Sequence, residues 1–261
     1  MNDAHQRPVP NPAATAVGII PARLASSRFP QKILANETGK PLIQHVWDAA
    51  MRASSLSSVV IAVDDPAVQR LVQSFGGVAI LTSPDHPNGT SRLAQASDFL
   101  RLSSDTIVVN IQGDEPEMDP STIDAVVALA RTTSAAVTTV ASPFAAHEDP
   151  TDPNIVKVVL RHDGSALYFS RSLIPHARVG STQPTPPLRH VGLYAYRAGF
   201  LPTYLALAPT PLEQTEMLEQ LRVLEHGYSI AVAVRTVTSA GIDTQEQYAA
   251  FVARWRSRLL P

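Results

Sequence analysis

The chain has 261 residues and a mass of 28.0 kDa, the length of one large α/β domain or two small ones, with room for a closed active site. At 44% hydrophobic and 17% charged residues, with a mean hydropathy of +0.01, it can bury a full core and is not disordered overall. Its 21 Lys+Arg against 23 Asp+Glu leave a net charge of −2, which argues against nucleic acid as a partner, and the absence of cysteine excludes a disulfide framework, an iron–sulfur cluster, a thiolate zinc site and a cysteine nucleophile.

Residues 1–14, with Pro8, Pro10 and Pro12 among small and polar residues, predict a flexible tail without the apolar centre of a signal peptide. No run reaches the roughly 18 apolar residues of a membrane span, so a cytoplasmic protein is expected. From Ala16 onward, β-branched runs at Val17–Ile20, Val59–Val63, Val78–Leu81 and Thr106–Ile111 alternate with amphipathic stretches over 40–53, 66–75, 91–102 and 121–131. That rhythm predicts βαβ units and a parallel sheet. Asp65-Pro66 and Asp119-Pro120 place capping carboxylates before helix-starting prolines, and Gly76-Gly77 stops the helix after Phe75. Strands that are apolar throughout predict helices on both faces, hence a three-layer α/β/α sandwich.

After about residue 150, Ile155–Arg161 and Ala166–Ser170 read as a hairpin around His162-Asp163-Gly164, the sign of a mixed sheet or an accessory lobe. Val191–Tyr196 and Ile230–Val234 read as strands, 212–226 as one helix ended by Gly227, and 245–260 as a last helix. The expected layout is one domain over 15–261 with an accessory region at about 150–205.

The first strand runs into a loop carrying Arg23, Arg28 and Lys32 at the carboxyl edge of the sheet, where ligands of open α/β sheets bind. Two guanidinium forks and a mobile ammonium suit a phosphate-rich ligand, and a solvated loop is the plain alternative. Neither GxxxxGK[ST] nor GxGxxG is present. The fourth strand ends in Gln112-Gly113-Asp114-Glu115-Pro116, placing carboxylates at the same edge, and Mg²⁺ is the hard cation that carboxylate and phosphate oxygens select. Gly113 permits a close backbone approach. In Gly241-Ile242-Asp243-Thr244-Gln245-Glu246, Asp243 reads first as a helix N-cap, with Glu246 completing a capping box, and alternatively as a metal ligand.

These residues resemble the cytidylyltransferases that activate 3-deoxy-manno-octulosonate (Kdo). Ile19–Lys32, Thr82–Leu93, Val109–Pro116, Asn154–Pro175, Arg189–Leu201, Pro211–Leu224 and Gly241-Ile242-Asp243-Thr244 each look like blocks of that family, in order. The resemblance implies a Rossmann-like nucleotidyltransferase fold with a mostly parallel, mixed central sheet, and a homodimer formed through the accessory region. It implies transfer of CMP from CTP to the anomeric hydroxyl of Kdo with release of pyrophosphate. It makes Pro21, Ala22, Arg23, Arg28, Lys32, Gly89 and Arg92 nucleotide-binding residues, and Asp114 and Asp243 the Mg²⁺ ligands. Arg23, Lys32, Asp114 and Asp243 become the catalytic set. The sugar-acid pocket maps onto Gln112, Arg171, His190, Tyr194, Glu219 and Gln220. In a regular helix Glu219 and Gln220 would face different ways, with Gln220 the better candidate. Gln31 and Ile33 stand where the family has glycine and proline, and Ser91 where an acidic residue is usual. An acceptor such as 8-amino-Kdo, a glycosyltransferase and a non-catalytic nucleotide-binding protein of the same fold remain alternatives.

Overall fold

A computed structural model describes residues 10–25, 28–239 and 241–258. In chain order the elements are β1 (Ala16–Ala22), α1 (Leu42–Ala50), β2 (Ser58–Val63), α2 (Pro66–Ser74), β3 (Val78–Leu81), α3 (Gly89–Phe99), β4 (Ile107–Asn110) and α4 (Pro120–Thr132). There follow β5 (Val137–Pro143), β6 (Lys157–Leu160), β7 (Ala166–Ser170), β8 (Leu188–Arg197), α5 (Leu201–Ala206), α6 (Pro211–Glu216), α7 (Gln220–Glu225), β9 (Ile230–Val234) and α8 (Gln245–Ser257). Contacts divide the chain into two compact units. An N-terminal unit comprises Thr15–Ser103, Val108–Asp124 and Thr238–Pro261, and a central unit is built mainly from Ala125–Val237.

In the N-terminal unit the strands lie in the order β3-β2-β1-β4, with β1 parallel to β2 (Gly18 opposite Val59, Ala22 opposite Val63) and β2 parallel to β3 (Val60 opposite Val78). β1 and β2 are buried along nearly their whole length, as strands covered on both faces must be. The expected caps are in place: Asp65 accepts from the Ala67 amide at 2.6 Å and Asp119 from the Ser121 amide at 2.8 Å. Gly76 adopts φ +84°, the left-handed conformation that ends α2. The helix expected over 91–102 begins instead at Gly89, because the Asn88 side chain accepts from the Ser91 amide and sets the first turn there.

The central unit is mixed. β5 pairs antiparallel with β8 and parallel with β9, while β6 and β7 form the expected antiparallel hairpin. The helix expected over 212–226 is broken: α6 ends at Glu216, Met217 takes φ 53° and ψ 48°, and α7 starts afresh at Gln220. Of the tail expected over 1–14, residues 1–9 lie outside the described residues, whereas Ala14 is buried and accepts a hydrogen bond from Arg131 Nε. Positions 259–260 of the last expected helix also lie outside them.

Candidate active site

In the N-terminal unit β1 delivers Pro21 and Ala22 to its carboxyl end, and Gly89 at the start of α3 packs against Pro21, where a Cβ would stand 3.4 Å from the proline ring. Gly113 is closer still. A Cβ there would lie 3.0 Å from the Pro21 carbonyl oxygen, so the approach that glycine allows is one of backbone to backbone. Arg23, with Leu24, Ala25, Pro30, Gln31, Asp64, Asp65 and Pro84, lines a cleft of about 720 Å³.

Gln31 has φ 54° and ψ 29°, the left-handed conformation that a glycine adopts without strain. Ile33 is buried in the short 3₁₀ turn that follows. Lys32 reaches inward. Its Nζ donates to Asp114 Oδ2 at 2.6 Å, to the Ile242 carbonyl at 2.7 Å and to Asp243 Oδ1 at 3.1 Å. Arg28 Nη2 meets the same Asp243 Oδ1 at 3.0 Å. The side chains are 12% exposed for Lys32, 26% for Asp114, 40% for Asp243 and 66% for Arg28, a gradient from a sheltered floor to an open rim.

The N-cap expected at Asp243 falls to its neighbour. Thr244 accepts from the Gln247 amide and Gln247 reaches back to the Thr244 amide, so the capping box is displaced by one residue. Asp243 is thereby left to face Lys32 and Arg28. Among the described residues no group of three or more His, Cys, Asp or Glu side chains is arranged to hold a metal. Mg²⁺, however, is commonly bound through one or two carboxylates, substrate phosphates supplying further oxygens. Asp114, Asp243 and the Ile242 carbonyl already converge on one point, the Lys32 ammonium, and this donor set fits such an ion.

Arg92 is buried and turned into the protein. Its Nη1 donates to Thr82 Oγ1 at 2.6 Å and to the Ser83 carbonyl, and its Nη2 pairs with Asp64 at 3.3 Å. Asp64 Oδ1 also accepts from the Leu24 amide at 3.0 Å, tying the chain just after Arg23 to this buried pair. Ser91 spends its hydroxyl on the Asn88 carbonyl. Gln112 belongs to this unit as well, with its carbonyl accepting from the Glu115 amide.

The remaining sugar-acid candidates belong to the central unit. His190 and Tyr194 lie on β8, with ring centroids 5.3 Å apart. Four residues of regular strand would span about 13 Å. The distance is short because Thr139 faces Tyr194 while the next residue, Val140, faces Val191, so Gly192 and Leu193 bulge out of the ladder between the two rings. Thr139 Oγ1 bonds His190 Nε2 at 2.9 Å, and the Phe169 ring meets the imidazole edge-on. Burial lowers the His190 pKa to about 3 and raises that of Tyr194 well above its ordinary value. At neutral pH the imidazole is therefore uncharged and the phenol keeps its proton.

Glu219 opens α7 and accepts from Tyr204 Oη at 3.2 Å, while burial of its carboxyl pushes its pKa up. Gln220, the next residue, is buried. The break at Met217 removes the regular-helix geometry that set these two neighbours apart, since both now sit at the first turn of a new helix. Arg171 is engaged by main-chain carbonyls: Nε with Glu216 at 2.7 Å, Nη1 with Pro153 at 3.0 Å and Nη2 with Met217 at 3.4 Å. Sequence reasoning missed Asp64, Lys157 and Glu216, which hold the candidate residues in place, and the β8 bulge, of which Gly192 within an apolar strand is the visible sign.

A family model described as cytidylyltransferase matches residues 17–230. A 3-deoxy-manno-octulosonate cytidylyltransferase of Syntrophobacter fumaroxidans is 48% identical over 90% of this chain and 95% of its own length. The chain belongs to the 3-deoxy-manno-octulosonate cytidylyltransferase family. The enzyme of that name from Pseudoalteromonas translucida is 45% identical over 93% of this chain and 98% of its own. Among solved structures, CMP:2-keto-3-deoxy-manno-octonic acid synthetase complexed with CTP superposes with a TM-score of 0.87 at 38% identity, covering 94% of this chain and all of that one. An inositol-1-phosphate CTP transferase from T. maritima, 13% identical with a TM-score of 0.66, shares the fold. Membership in this family makes the chain a nucleotidyltransferase and confirms the α/β class expected from its strand and helix rhythm.

Proposed function

We propose that this enzyme transfers CMP from CTP to the anomeric hydroxyl of Kdo. The hydroxyl oxygen bonds to the α-phosphorus, the α–β phosphoanhydride bond breaks, and pyrophosphate departs with the electron pair. The observation that carries this reading is the likeness, over nearly the full length, to enzymes named for that reaction. A role in supplying activated Kdo for lipopolysaccharide, a cytoplasmic location and a homodimer formed through 150–205 belong to the same proposal. So does a single catalytic domain over 15–261. Among the described residues no helix is long and apolar enough to cross a membrane.

Arg23, Arg28 and Lys32 are the cations for the triphosphate, with Pro21, Ala22 and Gly89 shaping the backbone around the nucleotide. Arg92 acts from behind, through Asp64 and the Leu24 amide, on the loop that carries Arg23. Asp114 and Asp243 would hold Mg²⁺, which when bound polarises phosphate oxygens and eases deprotonation of the attacking hydroxyl. When the triphosphate oxygens arrive, Lys32 and Arg28 exchange a carboxylate partner for phosphate, and their charge opposes what develops on the leaving pyrophosphate.

Gln112, Arg171, His190, Tyr194, Glu219 and Gln220 are the partners for the sugar acid. Tyr194 stays protonated and donates, and neutral His190, whose Nε2 is engaged by Thr139 Oγ1, offers Nδ1 without carrying a proton in the reaction. The reading is tested by pyrophosphate release from each of the four nucleoside triphosphates with Kdo, 8-amino-Kdo and sialic acid. Release only with CTP and Kdo is expected. Preference for 8-amino-Kdo would change the acceptor, and absence of release with every pair would overturn the reading.

A further inference from the structure

We propose that Lys157 and Glu216 are positioning residues for the sugar-acid side of the reaction, fixing the main chain from which Arg171, Glu219 and Gln220 project. The inference rests on reading those three as sugar-acid partners. Lys157 is fully buried on β6. Its Nζ donates to the carbonyls of Asp152 at 2.9 Å, Ile155 at 2.6 Å and Arg171. Among the described residues no carboxylate lies within ion-pair distance of it. Withdrawing an ammonium from water is costly, and three neutral carbonyls satisfy its donors without cancelling its charge. What the arrangement achieves is geometric: one group fixes the turn over 152–155 and the chain just beyond β7.

Arg171 continues the connection, from the Pro153 carbonyl in that turn to the carbonyls of Glu216 and Met217. Glu216 closes it in the other direction, its carboxylate accepting from Ser170 Oγ at 2.7 Å and the Arg171 amide at 2.9 Å. The segment so gripped is the break between α6 and α7. Met217 there is a non-glycine residue at φ 53° and is 76% exposed, so side-chain burial does not hold its unusual backbone. Glu219 and Gln220 follow at once. Loosening the network would therefore move the residues facing the sugar acid.

The test is steady-state kinetics of Lys157→Met and Glu216→Gln, with each substrate varied at saturation of the other, beside Gln220→Ala and Tyr194→Phe. For both positioning variants the KM for Kdo should rise at least about tenfold, with the KM for CTP within about twofold of the parent. A residue that is only structural would lower the amount of folded enzyme and leave both KM values alone. Unchanged KM values, or equal shifts for the two substrates, would overturn the proposal. Glu216 is partly exposed, so its variant decides the matter if Lys157→Met fails to fold. If Gln220→Ala and Tyr194→Phe leave the Kdo KM unchanged, the sugar-acid reading itself fails. If those two raise it and the positioning variants do not, only the positioning inference falls.

Discussion

Two clusters of cations, one in each unit, treat positive charge in opposite ways. In the N-terminal unit Lys32 and Arg28 face the carboxylates of Asp114 and Asp243, so charge is balanced by charge, and much of Arg28 is in water. In the central unit Lys157 and Arg171 are ringed by main-chain carbonyls, which accept hydrogen bonds but carry no net charge. Ion pairs near solvent are individually weak, about 0 to 1 kcal/mol, and can be exchanged for a better partner. A buried cation held by carbonyls has no comparable alternative and behaves as scaffold. A charged, exchangeable site suits a ligand that brings its own charges, as a triphosphate does. A fixed frame suits the recognition of hydroxyl groups by direction.

The largest effects should come from disturbing the exchangeable side. Asp114→Asn and Lys32→Ala are each expected to lower kcat about 10² to 10³-fold, with the circular dichroism spectrum unchanged. Lys32→Arg should restore little, because a planar fork cannot replace a compact ammonium between two carboxylates. A loss of less than about tenfold for Lys32→Ala in single-turnover kinetics would reduce its role to that of a counter-ion, on a scale where 1.4 kcal/mol is one decade.

In the central unit pH becomes the probe. The folded state holds the His190 pKa at about 3, below the ordinary 6.5 of an exposed imidazole, so the unfolded chain binds the extra proton first. This group leaves stability unchanged above pH 6.5 and lowers it as pH falls below that value, by at most about 2 kcal/mol between pH 7 and pH 5. Urea unfolding of the parent and of His190→Gln at both pH values measures the difference. A variant as acid-sensitive as the parent would show that the imidazole is not desolvated.

The smallest effect separates a cap from a ligand. Thr244→Ala should destabilise by about 1 kcal/mol while turnover stays normal. Asp243→Asn should do the reverse, leaving the melting temperature nearly unchanged and slowing the reaction. The opposite pattern would return the cap to Asp243.

That last contrast also shows where reading the sequence stops. Asp243 and Thr244 are both good caps, each with Glu or Gln three residues on, and only the path of the preceding chain selects Thr244. The β–α rhythm of the N-terminal unit was readable because its strands are unbroken apolar runs bounded by capping residues. β5 escaped notice since Thr138 and Thr139 look polar, yet both are buried with their hydroxyls donating to the carbonyls of Val126 and Leu193. The break at Met217 leaves no mark in the sequence, for neither glycine nor proline interrupts the apolar spacing. The candidate site residues rest on their resemblance to a family. The groups behind them were missed, because a lysine bonded only to carbonyls has no sequence partner to betray it.

The bulge in β8 carries one more consequence, a matter of parity. Two residues, Gly192 and Leu193, are added to the strand, and an even insertion preserves the alternation of faces. Val191, Leu193 and Ala195 are all buried, while His190, Gly192 and Tyr194 are all partly open. A single inserted residue would have turned Tyr194 into the core and exchanged it for an alanine. The strand can therefore gain or lose this pair as a unit without inverting Tyr194, whereas an odd change in its length would carry that ring from the partly open face into the core.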